Sequence, residues 1–97
     1  MITWLVTRHP GAAAWASQQG VKVDRLVTHL DETSIAPGDI VIGTLPVHLA
    51  AVVCERGGAY WHLTLDLSPE MRGRDLTVGE MEAAGARLEA YHVERNV

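Results

Sequence analysis

Gly38-Asp39-Ile40-Val41-Ile42-Gly43-Thr44-Leu45-Pro46-Val47-His48-Leu49-Ala50 decides how the rest of this chain reads. Ile40-Val41-Ile42 is an unbroken β-branched run with no polar residue in alternation. Such a run reads as a strand. The strand is expected over residues 39–44. Pro46 then suits the first turn of a helix, where its missing N–H would have had no intrahelical partner. The helix is expected to run to about Arg56, with Leu49, Val52 and Val53 on one face and Gly57-Gly58 as its stop.

The same grammar extends upstream. Ile2-Thr3-Trp4-Leu5-Val6-Thr7 is a second apolar, β-rich run, interrupted by Pro10-Gly11, and reads as a strand buried on both faces, as in a parallel sheet. Ala12 to Gln19 reads as a helix ending at Gly20, a residue placed to take the left-handed stop. Asp24 to Leu30 reads as a less apolar strand, which suggests an edge or partly exposed position. Asp31 to Gly38 is polar and carries the turn signal Pro37-Gly38.

Downstream, Ala59 to Leu67 is expected as a fourth strand, and Ser68 to Asp75 as a charged loop. Thr77 with Glu80 is a capping box. The helix it opens is expected to place Met81, Ala84, Gly85 and Leu88 on one face. Gly79 and Gly85 would weaken that helix by about 1 kcal/mol each relative to Ala, so close packing is expected to explain at least one. Tyr91 to Arg95 reads as a last strand or a frayed tail. The order βαββαβα, with or without a final β, predicts an α/β fold with a mainly parallel sheet and helices on both faces.

Composition sets the outer bounds. Ninety-seven residues are expected to form one domain, residues 1–97, with a thin core for which association is a reasonable prior. A net charge of −4 argues against duplex nucleic acid as a partner, because such binding leaves a basic footprint. It leaves room for a small anion held by a few Arg and His in a cleft. The single cysteine, Cys54, excludes an intramolecular disulfide and a four-thiolate metal site, and its apolar helical setting reads as a core thiol. No stretch is long and apolar enough to span a membrane, and Met1-Ile2-Thr3-Trp4 lacks the basic flank of a secretory signal. A cytoplasmic location is expected by default.

Ligands of open α/β sheets bind beyond the carboxyl ends of the strands. Two segments are composed for that place. In Thr7-Arg8-His9-Pro10-Gly11, Arg8 offers a forked, permanently charged donor for phosphate. His9 donates or moves a proton near neutral pH. Gly11 would let backbone amides approach an anion at a helix start. In Gly43-Thr44-Leu45-Pro46-Val47-His48, Gly43 would permit close backbone approach, and Thr44 would cap the helix or bind a phosphate oxygen. His48 falls in the first helical turn, where the dipole favours an anion. Arg72 and Arg74 could close over a ligand from the charged loop. His29, His62 and His92 lie in or beside strands and read as structural. The histidines are scattered, with no His-x-x-x-His or paired-carboxylate spacing, so no metal and no cofactor is expected.

At these segments the chain resembles a known family. Leu5-Val6-Thr7-Arg8-His9-Pro10-Gly11-Ala12, then residues 38–50, then Arg72-Gly73, look like the small CRISPR-associated family that is the sixteenth of the Csx series. The resemblance covers nearly the whole chain. It implies a Rossmann-like fold akin to the sensor (CARF) domains of type III CRISPR systems, working as a homodimer. It implies a ring nuclease that opens cyclic oligoadenylates, chiefly cyclic tetra-adenylate, and so switches off an antiviral signal. The reaction would be attack of a ribose 2′-OH on the neighbouring phosphorus, leaving 2′,3′-cyclic phosphate ends, without a metal. Arg8, His9 and His48 would then be catalytic, and Thr7, Gly11, Gly43, Thr44, Leu45 and Arg72 would hold ligand. The alternatives are a protein that binds the ring without cutting it and a partner-binding regulator with no nucleotide site. The Arg8-His9 pair is also similar to the Arg-His-Gly turn of histidine phosphatases, but Pro10 replaces the Gly and the chain is far shorter.

Overall fold

A computed structural model describes residues 1–73 and 75–96. Five strands, β1 (Thr3–Val6), β2 (Arg25–Val27), β3 (Ile40–Gly43), β4 (Ala59–Thr64) and β5 (Arg87–Tyr91), form one sheet in the order β2-β1-β3-β4-β5. The pairings β1–β2, β1–β3 and β3–β4 are parallel, and β5 runs antiparallel to β4. Among the described residues three α-helices, α1 (Pro10–Gln18), α2 (Val47–Glu55) and α3 (Val78–Ala83), alternate with them. The fold is thus α/β with a mostly parallel sheet, as the unbroken apolar runs predicted.

The helices cover both faces. Ala12, Trp15 and Ala16 of α1 and Met81 of α3 pack with Leu5, Ile42 and Leu63 on one side. Ala50 and Val53 of α2 pack with Val41, Tyr60 and Ile35 on the other. Leu5 and Ile42 face one way while Val41 and Tyr60 face the other, because successive side chains of a strand alternate. Burial on both faces explains why β1 and β3 carry no polar stripe.

One buried carboxylate ties the amino-terminal edge of the sheet together. Asp39, 3% exposed, accepts hydrogen bonds from the Ile2 N–H at 3.0 Å, the Ala36 N–H at 3.1 Å and the Trp4 indole at 3.3 Å. The Ala36 amide first, then the Ile2 amide, hold its carboxyl below the ordinary value.

Several elements differ from expectation. β2 pairs only over Arg25–Val27, and Thr28 to Leu30 leave the sheet. The capping box at Thr77 and Glu80 forms, but α3 stops at Ala83. Gly85 has φ +70°, the left-handed conformation that ends a helix. Leu88 therefore lies in β5 opposite Leu63, and not on a helix face with Met81. Neither glycine has the packing role expected of one of them. Gly79 has open space where a Cβ would stand, and the nearest atom at Gly85 is an exposed Asp66 oxygen 3.4 Å away. The last strand ends at Tyr91. Cys54 is half-buried against the α2 core, its Sγ accepting from the Val93 N–H at 3.5 Å. Among the described residues no helix is long and apolar enough to cross a membrane.

Candidate functional site

The chain runs from β1 outward to β2, then returns past β1 to place β3 on its other side. At such a reversal the loops leaving neighbouring strands diverge to opposite faces and open a crevice at the carboxyl edge. A cleft of about 610 Å³ lies there. Its walls are the exits of β1 (Val6, Thr7, Arg8, His9), β2 (Thr28, His29, Leu30) and β3 (Thr44, Leu45, Pro46), with Leu49 of α2. Leu67, Met71, Gly73 and Asp75 from the segment after β4 complete it.

The charge in this cleft comes from few groups. Arg8 is exposed, and it takes no part in the ion pairs recorded among the described residues, which join Arg87 to Asp66 and Glu89, His92 to Glu94, and Arg95 to Glu55. His9 and His29 add two imidazoles, against one carboxylate, Asp75. Helices α1 and α2 both begin at this edge, with no side-chain cap on their terminal amides and no acidic residue in their first turns. At α1, Pro10 has no N–H, and the Gly11 and Ala12 amides already donate to the Leu76 and His9 carbonyls, both at 3.1 Å; α2 is the helix whose positive dipole end carries no side-chain or acidic compensation.

His9 is fixed in orientation. Its own N–H donates to the Thr7 hydroxyl oxygen at 3.0 Å, and its Nδ1 accepts from the Leu76 N–H at 3.3 Å. An amide nitrogen can only donate, so the neutral ring carries its proton on Nε2. In that tautomer His9 is a hydrogen-bond donor at Nε2.

The structure brings together Thr7, Arg8, His9, Thr44 and Leu45. It does not bring His48 to them. His48 is exposed on α2 and lines a separate groove of about 560 Å³ with Val47, Ala51, Val52, Val93, Glu94 and Arg95. Gly11 is buried, its N–H donates to the Leu76 carbonyl at 3.1 Å, and a Cβ there would stand 2.6 Å from that oxygen. Gly43 is buried too, with a Cβ position 2.6 Å from the Val6 carbonyl oxygen. Both glycines thus answer to backbone packing. The Leu45 N–H is engaged by the Tyr60 hydroxyl at 2.9 Å, and the Thr44 hydroxyl donates to the Leu63 carbonyl at 3.3 Å. Arg72 is exposed between Met71 and Gly73, both of which line the cleft. Arg74 lies outside the described residues.

Thr28, His29, Leu30, Met71 and Asp75 escaped the reading of the sequence. For the first three a signal existed: they follow β2, and the rule that ligands bind at strand exits applies to β2 as much as to β1. His29, read as structural, is exposed in the cleft. Met71 and Asp75 carried no such signal, because their place depends on how the loop after β4 folds back. Among the described residues no group of three or more His, Cys, Asp or Glu is arranged to hold a metal ion.

Residues 4–94 match the model of a family described as "Putative CRISPR-associated protein (Cas_VVA1548)". The chain belongs to that family. The match spans every residue that lines the cleft, from Val6 to Asp75, and the groove beside α2 up to Glu94. No curated protein and no solved structure matches the chain.

Proposed function

We propose that this CRISPR-associated protein is a ring nuclease of the sixteenth Csx family, with a Rossmann-like fold, which binds cyclic tetra-adenylate in the strand-exit cleft and opens it without a metal. The observation that carries the reading is Arg8, outside the ion pairs among the described residues, beside His9 and His29 in a cleft at the carboxyl edge of the sheet. Phosphates favour such a place, because a guanidinium and the uncapped start of α2 both present positive charge to them. The apolar wall of Leu45, Pro46, Leu49, Leu67 and Met71 gives a base a surface to lie on. A four-fold ring suits a two-fold homodimer whose identical clefts face each other.

The proposed reaction forms the O2′–P bond and breaks the P–O5′ bond. The 2′-OH proton goes to a base, and the departing O5′ receives one. Arg8 would stabilise charge on the phosphorane, and the Nε2–H of His9 would donate to a phosphate oxygen or to the leaving oxygen. His29, which shares the cleft, takes the second acid–base role in place of His48. The test is incubation with cyclic tetra-adenylate in EDTA, read by chromatography. Linear products ending in 2′,3′-cyclic phosphate are expected. A ring left intact for hours at micromolar protein refutes the enzyme.

One observation favours a second reading, a protein that sequesters the ring uncut. With Nδ1 held by the Leu76 amide, the neutral His9 ring is a donor in the cleft and not a base. Tight calorimetric binding with unchanged ligand would select this reading.

A further inference from the structure

Where β3 leaves the sheet at Gly43, the Gly43 carbonyl and the Leu45 amide pass beyond the regular ladder and need other partners. The hydroxyl of Tyr60, on neighbouring β4, serves both: it accepts from the Leu45 N–H at 2.9 Å and donates to the Gly43 carbonyl at 3.0 Å. Nδ1 of His62 stands 2.7 Å from the same oxygen. A hydroxyl has one proton. With that proton on the Gly43 carbonyl, His62 must donate from Nδ1, and all four groups are satisfied at once. The His62 ring is held edge-on between Tyr60 and Tyr91, at centroid distances of 5.8 and 5.9 Å.

The ring of Tyr60 is 3% exposed and fills the core beneath α2, a task a phenylalanine would perform as well. The hydroxyl does something else. It bridges two backbone groups two residues apart, and so fixes the path of the turn that forms one wall of the cleft. Burial pushes the Tyr60 phenol up, which keeps the hydroxyl a neutral donor.

We infer that Tyr60, oriented by His62, is the positioning residue of the cleft: its hydroxyl sets Thr44, Leu45 and Pro46 against the exit of β1. The functional half of this inference rests on the reading of the cleft as a site for cyclic tetra-adenylate; the structural half does not.

The experiment is Tyr60→Phe in the full chain, with His62→Ala beside it. In Tyr60→Phe the Leu45 amide is expected to exchange its hydrogen roughly tenfold faster, with core amides such as Val41 and Val53 unchanged. His62→Ala speeds Leu45 by less, because the Tyr60 oxygen stays. In Tyr60→Phe the calorimetric Kd for cyclic tetra-adenylate weakens roughly tenfold at a temperature where circular dichroism shows both proteins folded. Asp39→Asn, which loosens the sheet at its far edge, leaves that Kd at the wild-type value. A merely structural Tyr60 would not separate these two variants. Leu45 exchange at the wild-type rate in Tyr60→Phe overturns the inference, as does an unchanged Kd. A wild-type protein that ignores the ring overturns the functional reading alone, and Leu45 exchange still decides the positioning.

Discussion

Gly11→Ala is expected to destabilise the protein sharply. An ideal Cβ at Gly11 would stand 2.6 Å from the Leu76 carbonyl oxygen, 2.6 Å from the Thr77 carbonyl carbon and 2.7 Å from the Val78 nitrogen. Ordinary contact begins at 3.4 Å, so the shortfall is 3.4 − 2.6 = 0.8 Å, and every atom involved is backbone. No side chain can swing aside; α1 and the start of α3 must part. Such overpacking costs about 3 kcal/mol, toward the upper end of its usual range. Alanine's better helix propensity returns at most about 1 kcal/mol. The net loss is about 2 kcal/mol, which in a domain of this size lowers Tm by about 10 °C. A thermal melt followed by circular dichroism measures it. Gly79→Ala is the internal control: it has open space and no left-handed φ, so it should gain up to about 1 kcal/mol. The same displacement moves Leu76, whose amide orients His9, so Gly11→Ala should also weaken ligand binding. A Gly11→Ala protein melting within about 2 °C of wild type would refute the packing account and return Gly11 to the role of ligand approach.

Three further outcomes are expected. Arg8→Ala should weaken cyclic tetra-adenylate binding about 10- to 100-fold, the loss of one or two charge-assisted bonds, and leave Tm unchanged because the side chain is exposed; titration calorimetry with a wild-type Kd would end the anion-site reading. Asp39 is held below its ordinary carboxyl value, so the stability it contributes is full above about pH 4 and is lost as pH falls through its folded value. In Asp39→Asn the acid arm of a stability–pH curve should flatten and neutral stability should fall, since an amide cannot accept on both sides; a curve parallel to wild type contradicts this. Thr77→Ala removes half of the capping box and should cost about 1 kcal/mol, read as a lower urea midpoint with an unchanged slope.

Much of this architecture is legible along the chain because its causes are local. An unbroken apolar, β-rich run such as Trp4-Leu5-Val6 announces burial on both faces whatever covers it. Pro46 and the Thr77–Glu80 box act within a few residues of themselves. The strand-exit rule likewise needs only the order of elements, and it found Thr7, Arg8, His9, Thr44 and Leu45. Leu88 shows where such reasoning stops. Its spacing from Met81 fits a helix, but Gly85 turns left-handed and sends it into β5, and nothing in the spacing separates a helical glycine from a terminating one.

The sequence by itself determined the α/β class, the two-sided sheet and which residues stand at the strand exits, since composition and periodicity set which faces must be covered and where the elements end. The tertiary structure alone decided which of those residues meet. It moved His48 to a separate groove, brought His29 into the cleft, gave Gly11 and Gly43 to packing, and joined the Tyr60 hydroxyl to Gly43 across 17 residues of chain. The reason is physical: strand order and backbone approach are settled by packing between distant segments, and no local pattern carries that information.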